Sequence, residues 1–138
     1  MAHVSFVLDP RLQASTLAVG DLGLSRLLLM NDARFPWLIL VPRHAGLVEI
    51  VDLEARDRAL LMEEIALVAH WLRQRAGVDK INVGALGNIV AQLHVHVVAR
   101  RIGDAAWPGP VWGAGTARPY GEAEARVLVA EVSRLINT

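Results

Sequence analysis

The chain is predicted to be α+β: an antiparallel sheet of about five strands, a long central helix and a C-terminal helix. Three observations carry that expectation. Short apolar runs lie close together in sequence with brief turns between them, as antiparallel neighbours require. Helical periodicity is confined to one long stretch and one near the C-terminus. The last two apolar runs have no crossover helix between them and no Gly-rich dinucleotide fingerprint, which argues against a doubly wound parallel sheet.

Taken in order, residues 3–8 read as a short first strand ended by Asp9-Pro10, and Gly20-Asp21-Leu22-Gly23 reads as a turn. Leu24 to Met30 is an apolar run of strand length, interrupted by Ser25 and Arg26. Asn31-Asp32-Ala33-Arg34 follows as a turn, because Asn and Asp satisfy turn backbone locally. Trp37 to Val41, bounded by Pro36 and Pro42, completes a hairpin. Asp52 is a candidate N-cap for a helix from about Leu53 to about Ala76. Leu61, Ile65, Val68 and Leu72 recur there at helical spacing, and Gly77 is a natural stop. Lys80 to Leu86 and Leu93 to Ala99 read as strands. Gly103 to Pro119 is rich in Gly, Pro and Trp and reads as irregular, and Glu122 to Ile136 returns to helical spacing. The whole is expected to be a single domain, 1–138, with 103–138 as a tail of irregular segment plus helix.

Composition narrows the function. With 54% hydrophobic and 20% charged residues the chain is not disordered, and the apolar surplus points to surface covered by a second copy. A formal net charge of zero gives no footprint for nucleic acid or an acidic membrane. There is no cysteine, which removes disulfides, thiol nucleophiles and Cys-ligated zinc. The N-terminus lacks the basic start and apolar core of a signal peptide, and no apolar run approaches a membrane span. A cytoplasmic location is expected.

The chemistry-bearing feature is Gln92-Leu93-His94-Val95-His96-Val97-Val98. On a β-strand, period-two alternation puts Gln92, His94 and His96 on one face and Leu93, Val95 and Val97 on the other. Three readings of the polar face stay open. The pair can be ordinary buried histidines in a hydrogen-bond network. It can hold a metal, with His44 as a third ligand, although His3 and His70 are poorly placed to help. Or a neutral imidazole can attack phosphorus while its neighbour stabilises the leaving oxygen, provided one ring nitrogen is held as a donor.

These residues resemble the signature of the histidine triad family of nucleotide hydrolases and transferases, His-φ-His-φ-His-φ-φ with φ apolar. Leu93, His94, Val95, His96, Val97 and Val98 fit it, and Gln92 stands where the first His is expected. Met30-Asn31-Asp32 with Leu38 to Arg43 is similar to the family's paired strands. Ile81-Asn82-Val83-Gly84 and Gly87-Asn88 resemble the segment leading to the triad, and Trp107-Pro108-Gly109 resembles the Trp-Pro tail of one branch.

The resemblance implies roles. His94 becomes the nucleophile, and His96 contacts the phosphate and leaving oxygen. The backbone carbonyl of Gln92 fixes the tautomer of His94, while the Gln92 side chain can act neither as acid nor as base. Asn31 and Asp32 lie near the ribose, Asn82 and Asn88 orient phosphate or the catalytic strand, and backbone N–H groups at 89–91 bind phosphate oxygens. Trp107 and Trp112 stack on a base or pin the tail to the core. Trp37 stands where the family typically has a histidine, and Ile89 where it has a small hydroxyl residue. From their position after the motif strand, Arg100 and Arg101 are expected to end the strand in solvent rather than to contact phosphate, and His70, within an apolar helix, to be structural. The implied activity is cleavage at the α-phosphate of a nucleoside phosphoramidate, a phosphosulfate or a dinucleoside polyphosphate, through a covalent nucleotidyl-histidine, without metal or other cofactor. The implied assembly is a homodimer. The alternative is a non-catalytic purine-nucleotide-binding module of the same fold.

Overall fold

The computed structural model describes residues 5–137. α1 (Pro10–Ser15) leads into β1 (Thr16–Asp21), β2 (Ser25–Met30) and β3 (Trp37–Pro42). A 3-10 turn (Ile50–Asp52) precedes α2 (Ala55–Arg73), then come β4 (Lys80–Gly84), β5 (Val95–Arg100) and α3 (Glu122–Ser133), closed by a second 3-10 turn (Arg134–Asn137). The strands form one sheet in the order β1-β2-β3-β5-β4, and every neighbouring pair is antiparallel. The expected α+β architecture is the observed one.

Three elements differ from expectation. Residues 5–8 of the expected first strand form no strand, while residues 3 and 4 lie outside the described residues. Val7 is exposed there, and Asp9 turns the chain into α1 by accepting the N–H of Arg11 at 2.8 Å, with Pro10 at the first helical position. The fifth strand is β1, whose last two residues had read as a turn. It is an edge strand with no fully buried residue, so its hydrophobic pattern is faint. The start of α2 also moves. Asp52 accepts the backbone N–H groups of Val48 and Glu49, which caps the preceding 3-10 turn, and α2 begins after Glu54. The helix ends at Arg73, with Gly77 taking φ 76° a few residues later.

The central strands bury both faces. Leu27 and Leu29 of β2, Leu38 and Leu40 of β3, and Val95, Val97 and Ala99 of β5 join Leu61, Val68 and Leu72 of α2 and Val132 of α3. On the other side Leu28, Trp37, Ile39, Val41 and Val98 pack with Leu12 of α1, Phe35 and Val111. Helices α2 and α3 therefore cover one face. Among the described residues the second face is covered by α1 with the segment before it, by Phe35 and Val90, and by the irregular segment around Val111 and Trp112, and it carries the polar groups of β5.

Candidate active site

Period-two alternation places His96 and Arg100 on the thinly covered face, because Val95, Val97 and Ala99 belong to the helix-covered core. His96 pairs with Ile39 of β3 and Gly84 of β4. With no side chain at Gly84, the Trp112 ring moves in over the strand; a Cβ there would stand 2.9 Å from its Cη2. His94 precedes the strand, yet its ring packs on His96 with centroids 4.9 Å apart at 68°. Both histidines are nearly closed off, at 6% and 5% exposure. They line a cavity of about 570 Å³ with Trp37, Asp32, Asn88, Ile89, Val90, Arg11 and Trp112.

Each ring has its Nδ1 engaged, in opposite senses. The Nδ1 of His94 lies 2.7 Å from the carbonyl oxygen of Gln92. A carbonyl only accepts, so this nitrogen carries the proton, and in the neutral ring the lone pair is on Nε2. Among the described residues no group bonds to that Nε2. The Nδ1 of His96 receives the indole N–H of Trp37 at 2.9 Å. An indole only donates, so here Nδ1 is the acceptor and Nε2 carries the proton. Burial, with the nearby His94 adding to it, drives the His96 pKa down to about 3, so this ring is neutral at physiological pH. The cavity thus receives a lone pair from one ring and an N–H from the other. That is the pairing needed to attack an electrophile and stabilise the oxygen that leaves it.

The expectation that Gln92 shares a strand face with the histidines is corrected. The ladder starts at Val95, and Gln92 sits in a bend outside it. Its side-chain amide donates to the carbonyl of Val7 at 2.8 Å and accepts the N–H of Asp9 at 2.8 Å. The side chain thereby staples the chain entering α1, and only the Gln92 carbonyl touches a histidine. The staple sets the start of α1, where Asp9 pairs with Arg11 and Arg11 donates to the carbonyl of Ile89 at 2.9 Å.

A model of the HIT domain matches residues 11–103. The chain belongs to the HIT family. Members of this family are generally nucleotide hydrolases or transferases. A histidine triad protein from Sinorhizobium meliloti has 53% identity, with 94% of this chain and 96% of that one covered at a TM-score of 0.90. One from Bradyrhizobium japonicum has 45% identity over 96% and 99% of the two chains, with a TM-score of 0.92. A histidine triad protein from Marinobacter aquaeolei has 42% identity over 97% and 98%, with a TM-score of 0.94. No curated protein matches the chain.

Within this HIT domain the other residues singled out by sequence fall into two groups. Asp32 and Asn88 line the histidine cavity. Burial opposes ionisation of Asp32, but the Arg34 side chain and the backbone N–H groups of Arg34 and Arg118 outweigh it and hold the carboxyl below its ordinary value. Asn31, Asn82 and Trp107 do not line the cavity. Asn31 accepts the backbone N–H of Tyr120 at 2.9 Å, tying the tail to the end of β2. Asn82 accepts from Arg100 at 2.9 Å, and the Arg100 guanidinium lies 5.6 Å from the Trp107 ring centroid.

Arg100 corrects a second expectation. It is not solvated but 1% exposed, paired with both carboxylate oxygens of Asp104 at 2.8 Å. The donated hydrogen bonds of Arg100 hold the Asp104 pKa down to about 2. Arg101, by contrast, is exposed. His44 stands away from the cavity beside Asp57 at 3.2 Å. Among the described residues no group of three or more His, Asp or Glu gathers to hold a metal ion.

Two cavity residues escaped sequence reading. Arg11 and Arg34 look like isolated surface charges in the sequence. Arg34 bridges Asp32 and the carbonyl of Ala114, the latter at 2.7 Å. Only the folded tail, which returns past the end of β2, brings these partners together.

Proposed function

We propose that this chain is a nucleotide hydrolase or nucleotidyl transferase that works through a covalent nucleotidyl-His94. The observation that carries the reading is the 2.7 Å contact between the Gln92 carbonyl and His94 Nδ1, which leaves Nε2 with its lone pair beside the cavity. In this reading the Nε2 lone pair attacks the α-phosphorus as the bond to the leaving group breaks. The ring becomes a phosphorylated imidazolium, and the Gln92 carbonyl strengthens its hold on the Nδ1 proton as charge develops. His96 donates its Nε2–H to the departing atom or to a phosphate oxygen. Backbone N–H groups at 89–91 supply further donors. Water then attacks the phosphorus, the P–N bond breaks, and the nucleoside monophosphate leaves with His94 restored.

The substrate class is a nucleoside phosphoramidate, phosphosulfate or dinucleoside polyphosphate. Asp32 and Asn88 contact the nucleotide from the cavity wall, and Trp112 offers a ring for stacking. Gln92 is required through its main chain, so a triad with glutamine at its first position retains its function. The chain works as one domain, in the cytoplasm and as a homodimer, with the apolar surplus of the sequence supporting the last.

The test is to incubate the protein with an adenosine phosphoramidate, follow release of the monophosphate, and look for adenylated protein by mass spectrometry. His94→Ala is expected to lower turnover by at least about 10³-fold. Full turnover in that variant overturns the mechanism. Nucleotide binding without turnover across the substrate classes, in the wild-type protein, identifies a non-catalytic binding module instead.

A further inference from the structure

The structure places at Trp37 a tryptophan whose indole N–H is spent on a catalytic-site histidine rather than on solvent or backbone. Trp37 lies on β3, in register with Val98, two pairs along from His96. Its ring is 6% exposed and packs between Phe35, at 6.4 Å, and Trp112, at 6.4 Å, both edge-on. Its centroid stands 5.6 Å from that of His96, and its only donor atom points at Nδ1. The indole is thus held by packing on two sides while it makes a single polar bond. A purely apolar filler such as phenylalanine would satisfy the packing but leave Nδ1 of a buried imidazole unpaired.

We propose that Trp37 is a positioning residue that sets the tautomer of His96, so that His96 always offers Nε2–H, never a lone pair, to the substrate. This rests on the function proposed above and adds the source of His96's polarity to it. Two imidazoles in contact are otherwise free to exchange roles, since each has one donor and one acceptor nitrogen. The Gln92 carbonyl removes that freedom from His94, and the Trp37 indole removes it from His96. Because burial keeps His96 neutral, protonation cannot supply the missing donor if the tautomer is wrong. A His96 in the other tautomer would aim a lone pair at a phosphate oxygen and repel it.

The tautomer can be read without any activity. Long-range ¹H–¹⁵N spectra of the protein labelled with ¹⁵N-histidine distinguish the protonated from the unprotonated nitrogen of each ring, and His96→Asn assigns the signals. Wild type is expected to show His96 wholly as the Nε2–H form. Trp37→Phe is expected to mix the tautomers and, with adenosine phosphoramidate, to lower kcat about 10-fold while KM changes less than about 3-fold, one lost hydrogen bond being worth about 1.4 kcal/mol. Trp37→His, which restores a ring N–H donor, is expected to recover part of the Nε2–H population and of kcat. A wild-type His96 in the Nδ1–H form, or a folded Trp37→Phe protein with unchanged tautomer and kcat, overturns the proposal. If wild type turns over no substrate, the reaction proposed above fails, and the tautomer experiment still decides the role of Trp37.

Discussion

The two faces of β5 follow opposite rules, although every residue of the strand is buried. Toward the helices Val95, Val97 and Ala99 join the hydrophobic core, and the requirement on them is volume. Toward the cavity His96 and Arg100 each need a named partner: the Trp37 indole for one, Asp104 and Asn82 for the other. A buried polar group costs free energy unless it is paired, so the second face is specified by hydrogen-bond direction more than by size. One strand is therefore tolerant on one side and unforgiving on the other.

Arg100→Ala should show this most strongly. It empties the buried site of Arg100 and leaves the half-buried Asp104 carboxylate and Asn82 without their donor, and a loss of about 3–5 kcal/mol is expected in urea unfolding. Leu40→Ala, on the helix-covered face, should cost about 2–5 kcal/mol by creating a cavity. The conservative versions separate the rules. Leu40→Met should cost less than about 1.5 kcal/mol. Arg100→Lys keeps the charge but cannot reproduce the two-pronged bond to Asp104, so it should recover only part of the loss. A lysine that restored stability fully would show that charge alone is what this face requires.

Acid supplies the next largest effect, through His96 on the cavity face. His96 stays neutral in the folded protein down to about pH 3, whereas an unfolded histidine takes up a proton near pH ~6.5. Its contribution is thus complete above the unfolded value and is lost as pH falls from there toward the folded one. Between pH 7 and pH 5 the loss should be about 2 kcal/mol. Asp32 and Asp104, whose pKa values are lowered, add their own losses only at more acidic pH, below the ordinary carboxylate value of 3.8. Urea unfolding at both pH values checks this: His96→Asn should remove most of the slope, and an unchanged slope would place the acid sensitivity elsewhere.

What the sequence makes legible follows the same division. The helix-covered face is readable because hydrocarbon announces itself: β2 and β3 stand out as short apolar runs, and β5, α2 and α3 by the spacing of their apolar residues. β1 was not, since a half-buried edge strand has too few apolar residues to reveal its alternation. On the cavity face, His94 and His96 were visible as a pair, but their tautomers were not. Those depend on a carbonyl two residues away and on an indole from another strand. Arg100 reads as a solvated residue because a charge after an apolar run looks like a strand end. Only the half-buried carboxylate of Asp104 four residues on, together with Asn82 on β4, explains it. Partners that are distant in sequence leave no local pattern.

Gln92 gives the smallest effect and the sharpest contrast, because its main chain serves the cavity while its side chain serves the N-terminal segment. Gln92→Ala removes the two bonds to Val7 and Asp9 but leaves the carbonyl that holds His94. Each neutral hydrogen bond is worth about 1 kcal/mol net, so the loss should be about 1–2 kcal/mol and confined to residues 7–11. Faster amide exchange at Asp9, whose N–H bonds directly to Gln92, is the expected signature. Turnover should change through KM, because Arg11 loses its fixed place at the cavity wall, with kcat held within about 3-fold. Gln92→His should bring no gain, since a side chain at this position points to the staple rather than to the substrate. A fall in kcat of about 100-fold in Gln92→Ala would instead put the amide itself into the chemistry, at a scale typical of a lost proton-transfer group.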